Sequence, residues 1–269
     1  MKPRNAFCSF CRRRYTDVGP LVEGPDHVYI CGECIELSQS IVEQELRRRA
    51  PPPPPVGPAQ VRAKLDQLVI GQDEAKESLA HAVASRAEGR GKVLLLGSSR
   101  SAKVFLAGAL AHALEAPFVA GDSSGLVKCK VGSADVLPLL YNLFRASGFD
   151  VEAAQRGVVY VDGVDTHEAQ AACVQLWREH VVEAVSLLPF DIRHVLFVCG
   201  GTFAGLDEAI AVSGRHPEQP VTRSALAASG AQPEWVNHLA AIARAAPLDE
   251  ETLTRLMAWV DFSRAETNQ

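Results

Sequence analysis

No apolar run in this sequence approaches the roughly 18 residues that a helix needs to cross a bilayer. The longest are short, such as Val93-Leu94-Leu95-Leu96 and Val158-Val159-Tyr160-Val161, so no membrane contact is expected. The N-terminus, Met1-Lys2-Pro3-Arg4-Asn5, carries charge with no apolar stretch behind it. No secretory signal is read there, and the expected location is cytoplasmic. An excess of positive charge is also missing: 27 Lys and Arg stand against 32 Asp and Glu, a net of −5. Residues 1–50 are almost neutral, with 8 basic and 7 acidic side chains. Nucleic-acid binding is therefore not expected, because its usual footprint is a basic domain. The triplets Arg12-Arg13-Arg14 and Arg47-Arg48-Arg49 read as solvated surface. No internal repeat is visible. What the chain does not lack is core material: 47% hydrophobic and 22% charged residues over 269 positions exclude a wholly disordered protein.

Five consecutive prolines, Pro51 to Pro55, lead into Val56-Gly57-Pro58. Such a run adopts extended polyproline II and acts as a semi-rigid spacer. It divides the chain into residues 1–50, a linker over 51–59, and a larger domain from residue 60. In that domain elements alternate. Helical spacing of apolar residues marks Gln72–Ala87, Ala102–Glu115, Val136–Ala146 and Ala169–Leu188. Short apolar or β-branched runs mark strands at Lys92–Leu96, Pro117–Ala120, Gly157–Asp162 and His194–Cys199. Alternation of this kind predicts an α/β fold, a parallel sheet with helices on both faces.

Four of seven cysteines lie within the first 34 residues: Cys8-Ser9-Phe10-Cys11, then Cys31-Gly32-Glu33-Cys34. Two CxxC knuckles at this separation are a zinc signature. Zinc takes four thiolates in a tetrahedron, and each knuckle offers two sulfurs from one loop. A segment of 50 residues is too small for a sufficient core, so metal binding would supply folding energy. Two disulfides are the alternative, disfavoured in a reducing cytoplasm. With all four ligands cysteine, the expected site is closed and structural. Cys173 and Cys199 read as small buried hydrophobes. Phe7, Phe10, Val28, Tyr29, Ile30, Ile35 and Leu37 exceed what so small a core can bury, so either some form an interface or they pack around zinc and the following helix.

After the strand ending at Leu96, Gly97-Ser98-Ser99-Arg100-Ser101-Ala102-Lys103-Val104 opens a helix. The phosphate-loop pattern is G-x-x-x-x-G-K-[ST]. Gly97 and Lys103 are in place. Ala102 replaces the second glycine, and Val104 replaces the hydroxyl that normally ligates Mg²⁺. Arg100 adds a cation inside the loop. Asp162, at the end of a later strand, is the acidic partner, and Gly163 follows it.

These motifs together resemble the ClpX family of AAA+ unfoldases. The resemblance runs through the four-cysteine module and most of a large AAA+ subdomain. It is carried further by Val69-Ile70-Gly71-Gln72, by Gln155 through Asp162, and by Phe197 through Asp207. It implies that Ile70, Gly71 and Gln72 line an adenine pocket and that Gly97, Lys103 and Asp162 face phosphates. Residues 60–248 then form a degenerate AAA+ P-loop domain, and 249–269 begin a helical small subdomain that stops at Gln269. The departures bear on function. In the family a glutamate follows the strand-end aspartate, where Gly163 stands. The first pore loop lacks its aromatic across Lys128–Asp135. A long insertion after Asp165 and a basic loop before the strand at residue 194 are missing. Pro233-Glu234-Trp235-Val236 is followed by Asn237-His238 in place of a Gly-Arg finger. The resulting expectation is a pseudo-ATPase with no catalytic residues. It holds Zn through Cys8, Cys11, Cys31 and Cys34, and ATP or ADP only weakly. It binds proteins through the zinc module: itself, ClpX-like subunits, adaptors or substrates. The alternative is an ATP-dependent unfoldase subunit with weak or shared hydrolysis.

Overall fold

A computed structural model describes residues 6–36, 38, 57–98, 100–128, 138–179, 181–185, 188–212 and 219–246. The chain divides into two units, Met1–Pro54 and Pro55–Gln269. The proline run, the stretch Cys129–Asp135, and residues 247–269 lie outside the described residues, as do the side chains of Ser99, Arg100 and Leu37.

In the first unit a hairpin of β1 (Leu21–Glu23) and β2 (Tyr29–Cys31) pairs Leu21 with Cys31. The turn carrying the first two cysteines docks against it: Ser9 N–H donates to Tyr29 O at 2.7 Å, and Tyr29 N–H donates to Ser9 Oγ at 3.1 Å. The buried apolar cluster here is Cys8, Leu21 and Cys31. Among the described residues Leu21 is its only buried aliphatic member, with Ala6 and Val18 partly buried against it.

In the second unit β3 (Lys92–Leu96), β4 (Phe118–Asp122), β5 (Val158–Asp162), β8 (Leu196–Gly201) and β9 (Ala241–Arg244) form one parallel sheet. Its order is β4-β5-β8-β3-β9, so β3 sits between β8 and β9. Side chains alternate between two cores. Leu94, Leu96, Val159, Val161, Phe197 and Cys199 enter one. Val93, Leu95, Val158, Tyr160, Leu196 and Val198 enter the other. Both faces are thus covered by helices, which is why these strands read as continuous apolar runs rather than alternating ones. Cys173 and Cys199 are buried in the first of these cores. Among the described residues, no helix is long and apolar enough to cross a membrane.

Three differences from the sequence reading are informative. The segment Ala169–Leu188 is not one helix. The helix His167–Glu179 is followed by a hairpin, β6 (Val181–Val185) with β7 (Leu188–Asp191). Val181, Val182 and Val185 carry β-branched preference that outweighs their helical spacing. The fifth strand, β9, has no signal in the sequence, because four residues rich in alanine give no periodicity. Pro58 and Ala59 are helix rather than linker: the helix Pro58–Leu68 starts on Gly57 with proline at its first position, where a missing N–H costs nothing.

Candidate functional site

The Cys8 and Cys11 turn and the Cys31 and Cys34 segment meet so that all four sulfurs lie within 4.8 Å of one another. A tetrahedral zinc with Zn–S near 2.3 Å requires S···S edges of about 3.8 Å. Cys11 and Cys31 stand at 3.8 Å. Burial raises the Cys8 thiol, and the backbone N–H groups of Cys11, Cys31 and Phe10 more than reverse that, holding it down to about 6. Cys34 is pushed up to about 12 by burial and by the thiols of Cys31, Cys8 and Cys11. Four thiolates this close repel, and a divalent cation removes the conflict. The donor set fits zinc, and the four-cysteine cluster is a zinc-binding site. Outside it, Phe7, Phe10, Val22, Val28 and Ile35 are exposed, Phe10 to 62%. Tyr29 and Ile30 are half-buried.

The phosphate-loop residues also come together. Lys103, on the helix Arg100–Ala113, is buried; its Nζ donates to Gly97 O at 2.6 Å and to Gly201 O at 3.4 Å. It stands 3.9 Å from Asp162 Oδ1. That same oxygen accepts from Tyr160 Oη at 2.6 Å. The pairing needs Gly200 on the neighbouring strand, since a Cβ there would overlap the Tyr160 hydroxyl and stand 2.7 Å from Asp162 Oδ1. Val104 packs its side chain against the core cluster of Val93 and Leu95. Gly163 adopts φ +73°, a left-handed backbone that a glutamate would strain, and its carbonyl accepts from Ser123 Oγ at 2.7 Å.

Gln72 and Gly97 line a cleft of about 630 Å³ at the carboxyl ends of β3, β8 and β9, together with Ser98, Thr202, Asp207 and Arg244. In open parallel sheets ligands bind outside the carboxyl ends of the strands, where the strand order reverses. Ile70 and Gly71 precede Gln72 and are absent from the lining. Gln72, itself at φ +57°, pairs its amide with the backbone of Ala246: Nε2 donates to the carbonyl at 2.7 Å, and Oε1 accepts the N–H at 2.8 Å. Asp165 Oδ1 accepts from Thr202 N–H, Thr202 Oγ1 and Phe203 N–H at 2.7, 3.0 and 2.6 Å, tying the loop after β5 to the loop after β8. Asp165 and Arg244 were not singled out from sequence as site residues. Asp165 sits three positions beyond Asp162, which is its only signal; Arg244 has none without β9.

Residues 6–44 match the ClpX C4-type zinc finger. The chain is 29% identical to the "ATP-dependent Clp protease ATP-binding subunit ClpX 2" of Wolinella succinogenes, covering 94% of this chain and 76% of the relative. A protein of Porphyromonas gingivalis named "ATP-dependent Clp protease ATP-binding subunit ClpX" is 25% identical, over 95% of this chain and 78% of its own length. One of the same name from Treponema denticola is 26% identical, over 76% and 59%. Zinc finger, parallel sheet and these relatives agree: the chain is similar to ClpX, with a C4-type zinc finger ahead of a parallel α/β sheet of the AAA+ kind.

Proposed function

We propose that this chain acts by binding proteins and does not turn over ATP. The zinc module associates with itself or with ClpX-like subunits, adaptors or substrates, and the AAA+ domain is a non-hydrolysing partner to it. Gly163 carries the reading. The place where the resemblance puts a water-polarising glutamate has no side chain, and its backbone is bent to φ +73°. Val104 supports it independently, because a side chain packed in the core and lacking a hydroxyl offers Mg²⁺ no ligand. NTPases of this class stabilise the transferred phosphoryl group by positioning and charge, and a finger arginine alone contributes on the order of 10³–10⁵ in rate. Asn237 and His238 stand where the resemblance puts that finger.

Each remaining group has a holding role. Lys103 supplies positive charge under the loop, Asp162 orients it, and the cleft shapes a space that weak ATP or ADP binding would use. The exposed apolar side chains of the zinc module, Phe7, Phe10, Val22, Val28 and Ile35, are the surface for protein partners. The test is phosphate release by the full chain against Lys103→Ala. Both are expected at background. Robust turnover that vanishes in the variant overturns this reading in favour of a hydrolysing unfoldase subunit, which Lys103 beside Asp162 would then serve.

A further inference from the structure

Arg244 lies opposite Leu96 in the β3–β9 pairing, beside the residue that opens the phosphate loop. Its place is fixed by close packing, since a Cβ on Gly97 would stand 2.7 Å from Ala245 O. One Nη of Arg244 donates to Asp207 Oδ1 at 2.7 Å. Its Nε is buried with no hydrogen-bond partner among the described residues. A buried guanidinium N–H without an acceptor is rare and costly, and calls for an explanation. Asp207 is 71% exposed, so this ion pair is weakly held.

The other two carboxylates of the cleft are engaged. Asp73 pairs with Arg62 and Lys76. Glu74 Oε1 accepts the backbone N–H of Arg244 at 3.3 Å. Lys103 is turned onto Gly97 O and Gly201 O. Among the described residues, Arg244 is therefore the cleft's one guanidinium, with a spare donor and a replaceable partner. A planar guanidinium matches phosphate oxygens in bidentate fashion.

We propose that Arg244 makes this cleft a site for a nucleoside diphosphate free of magnesium, its guanidinium neutralising the phosphate charge in place of the divalent ion. The proposal rests on the non-hydrolysing reading above, in which Val104 leaves no hydroxyl for Mg²⁺. The phosphate displaces Asp207 from the Nη it holds, and the freed guanidinium turns to bring its Nε, buried in the present conformation, to a phosphate oxygen. A volume of about 630 Å³ falls within the range of small-molecule sites and has room for more than a bare phosphate.

The experiment titrates the full chain with fluorescent ADP in EDTA and again with Mg²⁺, using pyrophosphate as competitor. ADP is expected to bind in EDTA, and Mg²⁺ to leave the affinity unchanged or lower it. Arg244→Gln should weaken ADP about 10- to 100-fold, the range of a charged hydrogen bond. Asp207→Asn frees Arg244 and should tighten binding several-fold, so it tests the idea even if Arg244→Gln fails to fold. Equal affinity in wild type and a folded Arg244→Gln overturns the proposal. So does a tenfold or greater gain with Mg²⁺, or no ADP binding by the wild type. Displacement of ADP by equimolar pyrophosphate overturns the nucleotide assignment. Phosphate release is read separately: turnover would sink the non-hydrolysing reading while Arg244 dependence still stands or falls on the titration.

Discussion

Zinc removal should unfold the first unit and leave the second standing. Among the described residues, the buried apolar cluster of the first unit is Cys8, Leu21 and Cys31. Burying Leu21 contributes about 2 kcal/mol, no more than the entropy of fixing one or two backbone residues. The hairpin β1–β2 pairs three residues with three, and an isolated hairpin is marginal in water. Structural zinc supplies about 10–16 kcal/mol in zinc-finger peptides, which exceeds the burial of Leu21 and the short hairpin among the described residues. Cys31→Ser removes one ligand and a buried core member together, and should abolish tight metal binding. The assay pairs metal analysis of protein purified without chelator with amide exchange of residues 6–36, before and after chelation. One zinc per chain is expected, with protection at Ser9 and Tyr29 lost on chelation and the β3, β5 and β8 amides still protected. A metal-free protein that keeps Ser9 and Tyr29 protected would refute the reasoning.

Gly163→Glu should not create an ATPase, and should cost about 1–2 kcal/mol for the left-handed backbone, read as a lower thermal midpoint of the second unit with phosphate release unchanged. Gly200→Ala forces its methyl into Tyr160 and Asp162 and should cost about 1–3 kcal/mol, the usual range for overpacking, measured by urea unfolding. Asp66 gives a pH signature. A hydrogen bond from Lys76, joined by Arg62, holds its carboxyl below the usual range. A depressed carboxylate stabilises the fold above its unfolded pKa, about 3.9, and that stability is lost as pH falls through the lower folded value. Asp66→Asn should thus unfold at a lower temperature than wild type at pH 7, with the gap closing below about pH 4.

How legible the sequence was varied with local physics. The strands β3, β5 and β8 could be read because both faces are buried, so apolar runs are continuous and bounded by glycine or aspartate. The zinc ligands could be read because spacing alone defines the geometry. The hairpin β6–β7 could not, since Val181 and Val185 satisfy a helical stripe as well as a strand. The cleft was half legible. Gly97 in its lining follows a motif, as do Lys103 and Asp162 outside it, whereas Arg244 enters only through the pairing of β9 with β3, a contact between distant parts of the chain. Gly163 stands, by the resemblance, where a glutamate is expected, but its left-handed turn is not legible, since a glycine letter carries no φ.

The amide of Gln72 meets both backbone groups of Ala246, 174 positions away, much as a neighbouring strand would. That separation has a kinetic consequence. Closing so long a loop gains nothing until β3 and β9 are already paired, and contacts of large sequence separation form late and slowly. The wall of the cleft is thus expected to be among the last parts of the domain to assemble, with the Ala246 amide gaining exchange protection after those of β3 and β8. During synthesis the phosphate loop would be complete long before the segment that walls it, so the cleft stays open until β9 has emerged and joined the sheet.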